Sequence, residues 1–280
     1  MKQSRLILDR QAFTANTDLL DLTAGRYIDY LSFAIKGEMT AADAKLPADL
    51  IGVLDVIQVR YLGSPVIYLT GEEVWALDDL WFGKHPITIA ASAATDSQSK
   101  IMGLFVPVAQ PPRPAGTLHL QVLHASVSGI DTETLTIAEI SSDKTIEGKY
   151  YHIVRMPGST AATTGYGNRV KLPQVGDLNG IMLYSATIPT NSAETATIQR
   201  VTIEVDGHKL MEREWHELYA DSHTGGNQGT FASPGDATVT DNYVVLDLSN
   251  DPIPAASKVI VDIDAGVASS SFVVIPIYRV

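Results

Sequence analysis

Between His208 and His223 the chain gathers its densest set of side chains able to hold a metal or move a proton: His208, Glu212, Glu214, His216, Glu217 and His223. Imidazole nitrogens and carboxylate oxygens bind zinc, but a site needs three or four of them to converge. Glu212 and His216 stand four residues apart, which on a helix would set both on one face. The run His216-Glu217-Leu218-Tyr219-Ala220 lacks the second histidine, four residues after the first, that a zinc-protease helix carries. The plainer reading is a solvated helix over Glu212–Tyr219 with Trp215, Leu218 and Tyr219 as its buried face.

Other chemical signals are thinner. Asp78-Asp79 and Asp262 with Asp264 place carboxylates close together, as glycosidases do across a sugar bond. On a strand, Asp262 and Asp264 face one side, where acidic groups also discourage mispairing of an edge. Gly165-Tyr166-Gly167-Asn168 is glycine-rich but lacks the Lys-Ser/Thr ending of a phosphate loop, so it reads as a flexible loop. The sequence therefore predicts no catalytic residue, no metal site and no cofactor.

The elements that would position such groups are mostly strands. Residues 27–35, 55–61, 117–123, 197–205, 242–248 and 258–263 combine β-branched or aromatic residues with partial period-2 alternation. Between them, 91–100, 110–116, 157–168 and 223–236 are rich in Gly, Pro, Ser and Asn and read as long surface loops. Thr70 and Glu73 have the spacing of a capping box ahead of a short helix.

These elements come twice. Asp55–Tyr61, Leu62-Gly63 and the helix around Trp75 recur as Gln199–Val205, Asp206-Gly207 and the helix around Trp215. The two glycines are 207 − 63 = 144 apart and the two tryptophans 215 − 75 = 140 apart, which implies a short deletion between turn and helix in the second copy. Leu104–Val108 pairs with Val245–Ser249 and Leu118–Val122 with Val259–Ile263, each at an offset of 141 (245 − 104, 259 − 118). Leu135–Ala138 pairs with Val273–Pro276 at 273 − 135 = 138. Five elements in preserved order mark a duplicated β-rich unit of ordinary domain size.

Composition agrees. The 280 residues suffice for two cores. The net charge of −12 divides evenly, −6 for residues 1–145 and −6 for 146–280, so neither half is a basic nucleic-acid module. With no cysteine there is no disulfide, thiolate ligand or cysteine nucleophile. The apolar run near the start, Leu6-Ile7-Leu8, is far shorter than the core of a secretory signal, and nothing in the sequence reaches a membrane-spanning length. The expected fold class is all-β: two tandem eight-stranded jelly rolls with short helices in the connections. The first spans 1–145, including an N-terminal arm of about residues 1–24, and the second 146–280, joined through the polar stretch Ser141–Lys149.

The paired plan, the strand Val201-Thr202-Ile203-Glu204-Val205 with its Asp206-Gly207 turn and following helix, and the total length resemble the double jelly-roll major capsid proteins of tailless icosahedral bacterial and archaeal viruses. The resemblance covers nearly the whole chain. It implies a trimer whose six rolls form a pseudo-hexagonal capsomer, assembled in the host cytoplasm and located in the virion, with neighbouring capsomers and minor vertex proteins as partners. Such viruses commonly enclose an inner membrane that the capsid protein meets through terminal segments. On that reading Lys2, Arg5 and Arg10, set against Asp9 around Leu6-Ile7-Leu8, are candidates for contact with anionic headgroups or with a neighbouring capsomer. The plainer reading of the same residues is a frayed terminus or a clamp on their own domain.

Two other functions are compatible with paired sandwiches. A carbohydrate-active or amidase-type enzyme needs a cleft with acidic and aromatic groups, and a sugar-binding module needs exposed aromatic platforms. The tryptophans instead sit among apolar neighbours, Trp75 and Trp81 beside Leu77 and Leu80 and Trp215 beside Leu218, and read as core anchors.

Overall fold

The computed structural model describes residues 2–39, 47–84, 87–90, 99–143, 150–189, 195–223 and 239–280. The chain divides into two compact units, Met1–Tyr151 and His152–Val280.

The first unit contains β1 (Lys2–Ala12), β2 (Leu20–Asp21), β3 (Tyr27–Met39), a 3-10 turn (Pro47–Val53), β4 (Leu54–Tyr61), β5 (Ser64–Leu69), α1 (Gly71–Leu80), β6 (Ile87–Ala90), β7 (Ser99–Gln110), β8 (Leu118–His124) and β9 (Ile130–Ser142). One sheet runs β1-β9-β3-β7-β6, and the other contains β5-β4-β8-β2. Alternate residues of the first sheet, such as Leu31, Phe33, Leu104, Val106, Leu135 and Ile137, are buried, as are Ile57, Val59, Leu120 and Val122 in the second. Each such side chain contributes roughly 1.5–3 kcal/mol through lost water contact.

The second unit begins at β10 (Tyr151–Val154) and continues with β11 (Met156–Ser159), β12 (Gly165–Lys171), β13 (Asp177–Ser185), β14 (Ile198–Val205), β15 (His208–Glu214), α2 (Trp215–His223), β16 (Tyr243–Asp247), β17 (Val259–Ala265) and β18 (Ser271–Arg279). Its sheets contain β16-β13-β18, with β11 on the outer side of β18, and β12-β17-β14-β15. A core of Ile181, Leu183, Ile198, Val201, Ile203, Trp215, Leu218, Val244, Leu246, Val261, Ile263 and Val274 lies between them.

Numbered from β1, skipping the added strand β6, the first unit pairs its strands 1-8-3-6 and 2-7-4-5 in jelly-roll connectivity. Numbered from β11, the second unit does the same. The all-β reading with short helices in the connections is therefore what the chain forms.

The duplication is more regular than the sequence suggested. β4 and β14 begin 198 − 54 = 144 apart, β5 and β15 begin 208 − 64 = 144 apart, and α1 and α2 begin 215 − 71 = 144 apart. No deletion separates turn from helix, so Trp75 is equivalent to Tyr219 and Trp215 to Gly71. The tryptophans were matched by residue type, whereas the backbone matches by position.

Both hairpins turn through two residues of positive φ, Leu62 (48°) with Gly63 (84°) and Asp206 (52°) with Gly207 (82°), the type I′ geometry that suits strand twist. Both carry one extra residue on the second strand. Val66 lies between the pairs Val59↔Ile67 and Arg60↔Pro65, and Leu210 between Ile203↔Met211 and Glu204↔Lys209.

The offset of 141 holds for β8 and β17, because Val59↔Leu120 answers to Ile203↔Val261. For β7 and β16 it is corrected to 140. The Phe105 N–H donates to Asp78 Oδ2 of α1 at 2.8 Å, and the Val245 N–H to Ser222 Oγ of α2 at 2.7 Å. Here 222 − 78 = 144 and 245 − 105 = 140, so each helix hooks the same strand from the same place. The offset of 138 for β9 and β18 is also out of phase by one, since it sets core-facing Ile137 against Ile275, whereas Val274 lies in the second core. β16 and β18 are buried on both faces, which erases the alternation that would have shown their phase.

Candidate assembly surface

The predicted arm is a strand. β1 pairs antiparallel with β9 from Lys2↔Ser142 to Ala12↔Thr134, and Leu20–Asp21 pairs with β8. An edge strand needs little apolar content, so the short run Leu6-Ile7-Leu8 concealed it. Lys2, Arg5 and Arg10 are not brought together. Lys2 Nζ sits 5.8 Å from the Tyr30 ring. Arg5, on the opposite face, donates to the Asp21 carbonyl at 2.6 Å and lies 3.6 Å from the carboxylate of fully buried Glu139. Arg10 has a φ of 44° beside a bulge, and its N–H donates to Thr136 Oγ1 at 3.1 Å. Ser141 and Ser142, expected in the linker, end β9 and are buried, while residues 144–149 lie outside the described residues.

The histidine and glutamate cluster is dispersed by a shifted boundary. Glu212, Arg213 and Glu214 belong to β15, which pairs Arg200↔Glu214 and Thr202↔Glu212 with β14, and the helix begins only at Trp215. Cross-strand charge pairs hold that segment extended, so Glu212 and His216 share no helical face. His216 is exposed, 3.4 Å from Glu214, while buried His223 stacks on Tyr219 with ring centroids 3.9 Å apart. Among the described residues no three of these groups converge on a metal position.

What the residues build instead is a ribbon of ion pairs across β12-β17-β14-β15. Arg200 meets Glu214 at 3.2 Å, Glu212 at 3.5 Å and the Tyr166 hydroxyl at 2.9 Å. Arg213 reaches Glu217 at 3.2 Å and Asp221 at 2.5 Å, Lys209 pairs with Glu212, and Arg169 pairs with Glu204 and, at 3.6 Å, with Asp262. The Lys209 hydrogen bond holds the Glu212 carboxyl below its ordinary range. The Glu214 N–H does the same for Glu217, completing half of a capping box on α2. Exposed pairs of this kind add little stability singly, and their main effect is on which surfaces can meet.

The paired carboxylates resolve separately. Asp262 and Asp264 stand opposite Arg169 and Arg200 as members of the ribbon. Asp78 is buried in α1, where desolvation pushes its carboxyl up to about 8 against the Phe105 hydrogen bond. The Gly165–Asn168 segment, expected as a loop, opens β12, and Asn168 Nδ2 donates to the Ile263 carbonyl at 3.1 Å. The loop expected over 157–168 is likewise largely strand, divided between β11 and β12. Thr70 and Glu73 form the full capping box, with Thr70 Oγ1 accepting from the Glu73 N–H at 3.2 Å and Glu73 Oε2 from the Thr70 N–H at 2.8 Å.

Four leucines are exposed among the described residues: Leu6 on β1, Leu19 just ahead of β2, Leu62 at the first hairpin tip and Leu210 at the second bulge. Only Leu62 left a trace in the sequence, as a leucine where an I′ turn favours Asn or Asp.

No family model matches the chain, and no curated protein sequence matches it. Solved structures do. The crystal structure of the STIV major capsid protein aligns with 100% of this chain and 97% of its own at a TM-score of 0.72 and 10% identity. A chain of the atomic structure of Sulfolobus Turreted Icosahedral Virus aligns over 99% and 91% at a TM-score of 0.71 and 12% identity. The chain has the double jelly-roll fold. The major capsid protein P2 of bacteriophage PM2 shares it, over 99% and 97% of the two chains at a TM-score of 0.63 and 10% identity. The double jelly roll extends from the first strand to the last, so the edges β1 and β15 belong to the shared architecture rather than to appendages.

Proposed function

We propose that this chain is a structural major capsid protein that trimerises into pseudo-hexameric capsomers and tiles an icosahedral shell, with no chemistry of its own. The observation that carries this is the end-to-end match of both rolls to the STIV major capsid protein. Two rolls of one design, near residues 1–145 and 146–280, let three chains present six similar edges to their neighbours. The surface supports the reading, because its charges are locked into ladders that decide which faces meet. The protein would then reside in the virion after assembly in the host cytoplasm, meeting neighbouring capsomers and minor vertex proteins. Lys2, Arg5 and Arg10 on β1 are the groups offered to a neighbouring capsomer or to an internal membrane, and no sequence-specific nucleic-acid contact is expected. Size-exclusion chromatography of the purified chain with a glycan-hydrolysis assay is the test. One trimer peak and no hydrolysis are expected, and a monomer at every concentration that cleaves glycan would overturn the reading in favour of a two-sandwich enzyme.

A further inference from the structure

Of the strands that end their sheets among the described residues, β1, outermost beside β9, and β15, outermost beside β14, are the ones that carry most of the exposed charge described above. An unpaired strand edge presents a row of N–H and C=O groups that readily accepts another strand. Each of these edges also carries a bare leucine, Leu6 at 53% exposure on β1 and Leu210 at 52% on β15.

The duplication shows which of these exposures is anomalous. Leu210 is the extra residue of the β14–β15 bulge, and its counterpart in the first roll is Val66, since 210 − 66 = 144. Val66 is 6% exposed. One position on one backbone is thus apolar twice, covered in the first roll and bare in the second. In a ring built from alternating first and second rolls, such a position in the second roll is where the next chain can supply the missing cover.

Charge selects the covering segment. Across His208–His223 the charged groups are Lys209, Arg213, Glu212, Glu214, Glu217 and Asp221, a net of 2 − 4 = −2. Across Lys2–Ala12 they are Lys2, Arg5, Arg10 and Asp9, a net of 3 − 1 = +2, in a chain whose total is −12. On so acidic a surface the acidic bulged edge has few basic complements, and the basic edge β1 is one of them.

We infer that β1 of one copy lies along β15 of the next, covering Leu210 with Leu6 and closing the ring of three chains. The inference rests on the trimeric reading above and names the surface that makes the trimer. It gives Lys2, Arg5 and Arg10 a neighbouring chain, rather than lipid, as their partner.

The chain contains no cysteine, so introduced thiols report without background. Leu6→Cys and Leu210→Cys are combined in the full chain and treated with a short bismaleimide, whose reach tolerates a shift of register. Covalent dimers and trimers in the double variant, at least tenfold above either single variant, are expected. A second variant, Leu210→Asp, is expected to raise the trimer dissociation constant at least tenfold while the circular dichroism spectrum, and melting measured on the dissociated chain, stay those of the parent. If the parent is trimeric yet the double variant links no better than the singles and Leu210→Asp assembles normally, this contact is wrong and the capsid reading stands. A monomeric parent overturns both.

Discussion

The hairpin–helix segments Leu54–Leu80 and Ile198–His223 run on one backbone with a constant offset of 144, and they differ at four positions that matter. At the turn, Leu62 adopts a left-handed φ while 68% exposed, where the second roll has Asp206, whose carboxylate accepts the Lys258 N–H at 2.8 Å. At the bulge, buried Val66 answers to bare Leu210. At the first helical residue, Gly71 answers to Trp215. At the hook onto the neighbouring strand, Asp78 answers to Ser222. The backbone plan is fixed by turns, bulges and caps, and the core is filled from whichever part of the chain is at hand. In the first roll the 3-10 turn fills it, since a Cβ on Gly71 would come within 2.6 Å of the Ile51 carbonyl oxygen. In the second roll the fully buried Trp215 side chain does so.

The helix-start pair is the most sensitive way to break this comparison. Trp215→Ala is expected to destabilise the protein by about 3–5 kcal/mol, the cost of emptying a large core site. Gly71→Ala, at the same backbone position, is expected to lose about 1–3 kcal/mol by overpacking against Ile51 and Leu54. Urea unfolding measures both, and a neutral Trp215→Ala would show that the two helices are not equivalent.

The hook is next. An unfolded Asp78 titrates near its ordinary 3.8 and the folded one at about 8, so between those values the folded protein keeps a proton that the unfolded chain has released. Stability present below about pH 4 is therefore lost as pH rises toward about 8, and it levels off above. Asp78→Ser transplants the second roll's neutral hook and is expected to remove that pH-dependent loss across the window. Melting curves at pH 5 and pH 8 would show parent and variant diverging, and parallel curves would contradict the burial of this carboxyl.

The turn gives the smallest effect. Leu62→Asn places a residue that tolerates left-handed backbone at the exposed tip, with an expected gain of about 0.5–1 kcal/mol. A loss instead, measured on the dissociated chain, would mean that Leu62 makes an internal contact.

Much of this comparison was legible in the sequence. Leu62-Gly63 and Asp206-Gly207 fixed the hairpins, Thr70 with Glu73 fixed a helix start, and the alternation of Leu118–Val122 and Val259–Ile263 fixed their register. What could not be read was hidden by physics of two kinds. Strands buried on both faces, such as β16 and β18, carry no alternation and so no phase. Exposed edge strands such as β1 and β15 carry too few apolar residues to announce themselves, and β15 looked helical because Glu and Arg suit either state. The candidate site suffered most from this, since Lys2, Arg5, Arg10, Glu212 and Glu214 all lie on those edges.

Single-particle electron microscopy of the purified protein tests the central claim most directly. The account predicts a particle of three chains, a mass of about 90 kDa from 3 × 30.1 kDa, with six rolls around one axis and β1 of each chain against β15 of the next. Particles holding a single pair of rolls at every concentration would contradict it.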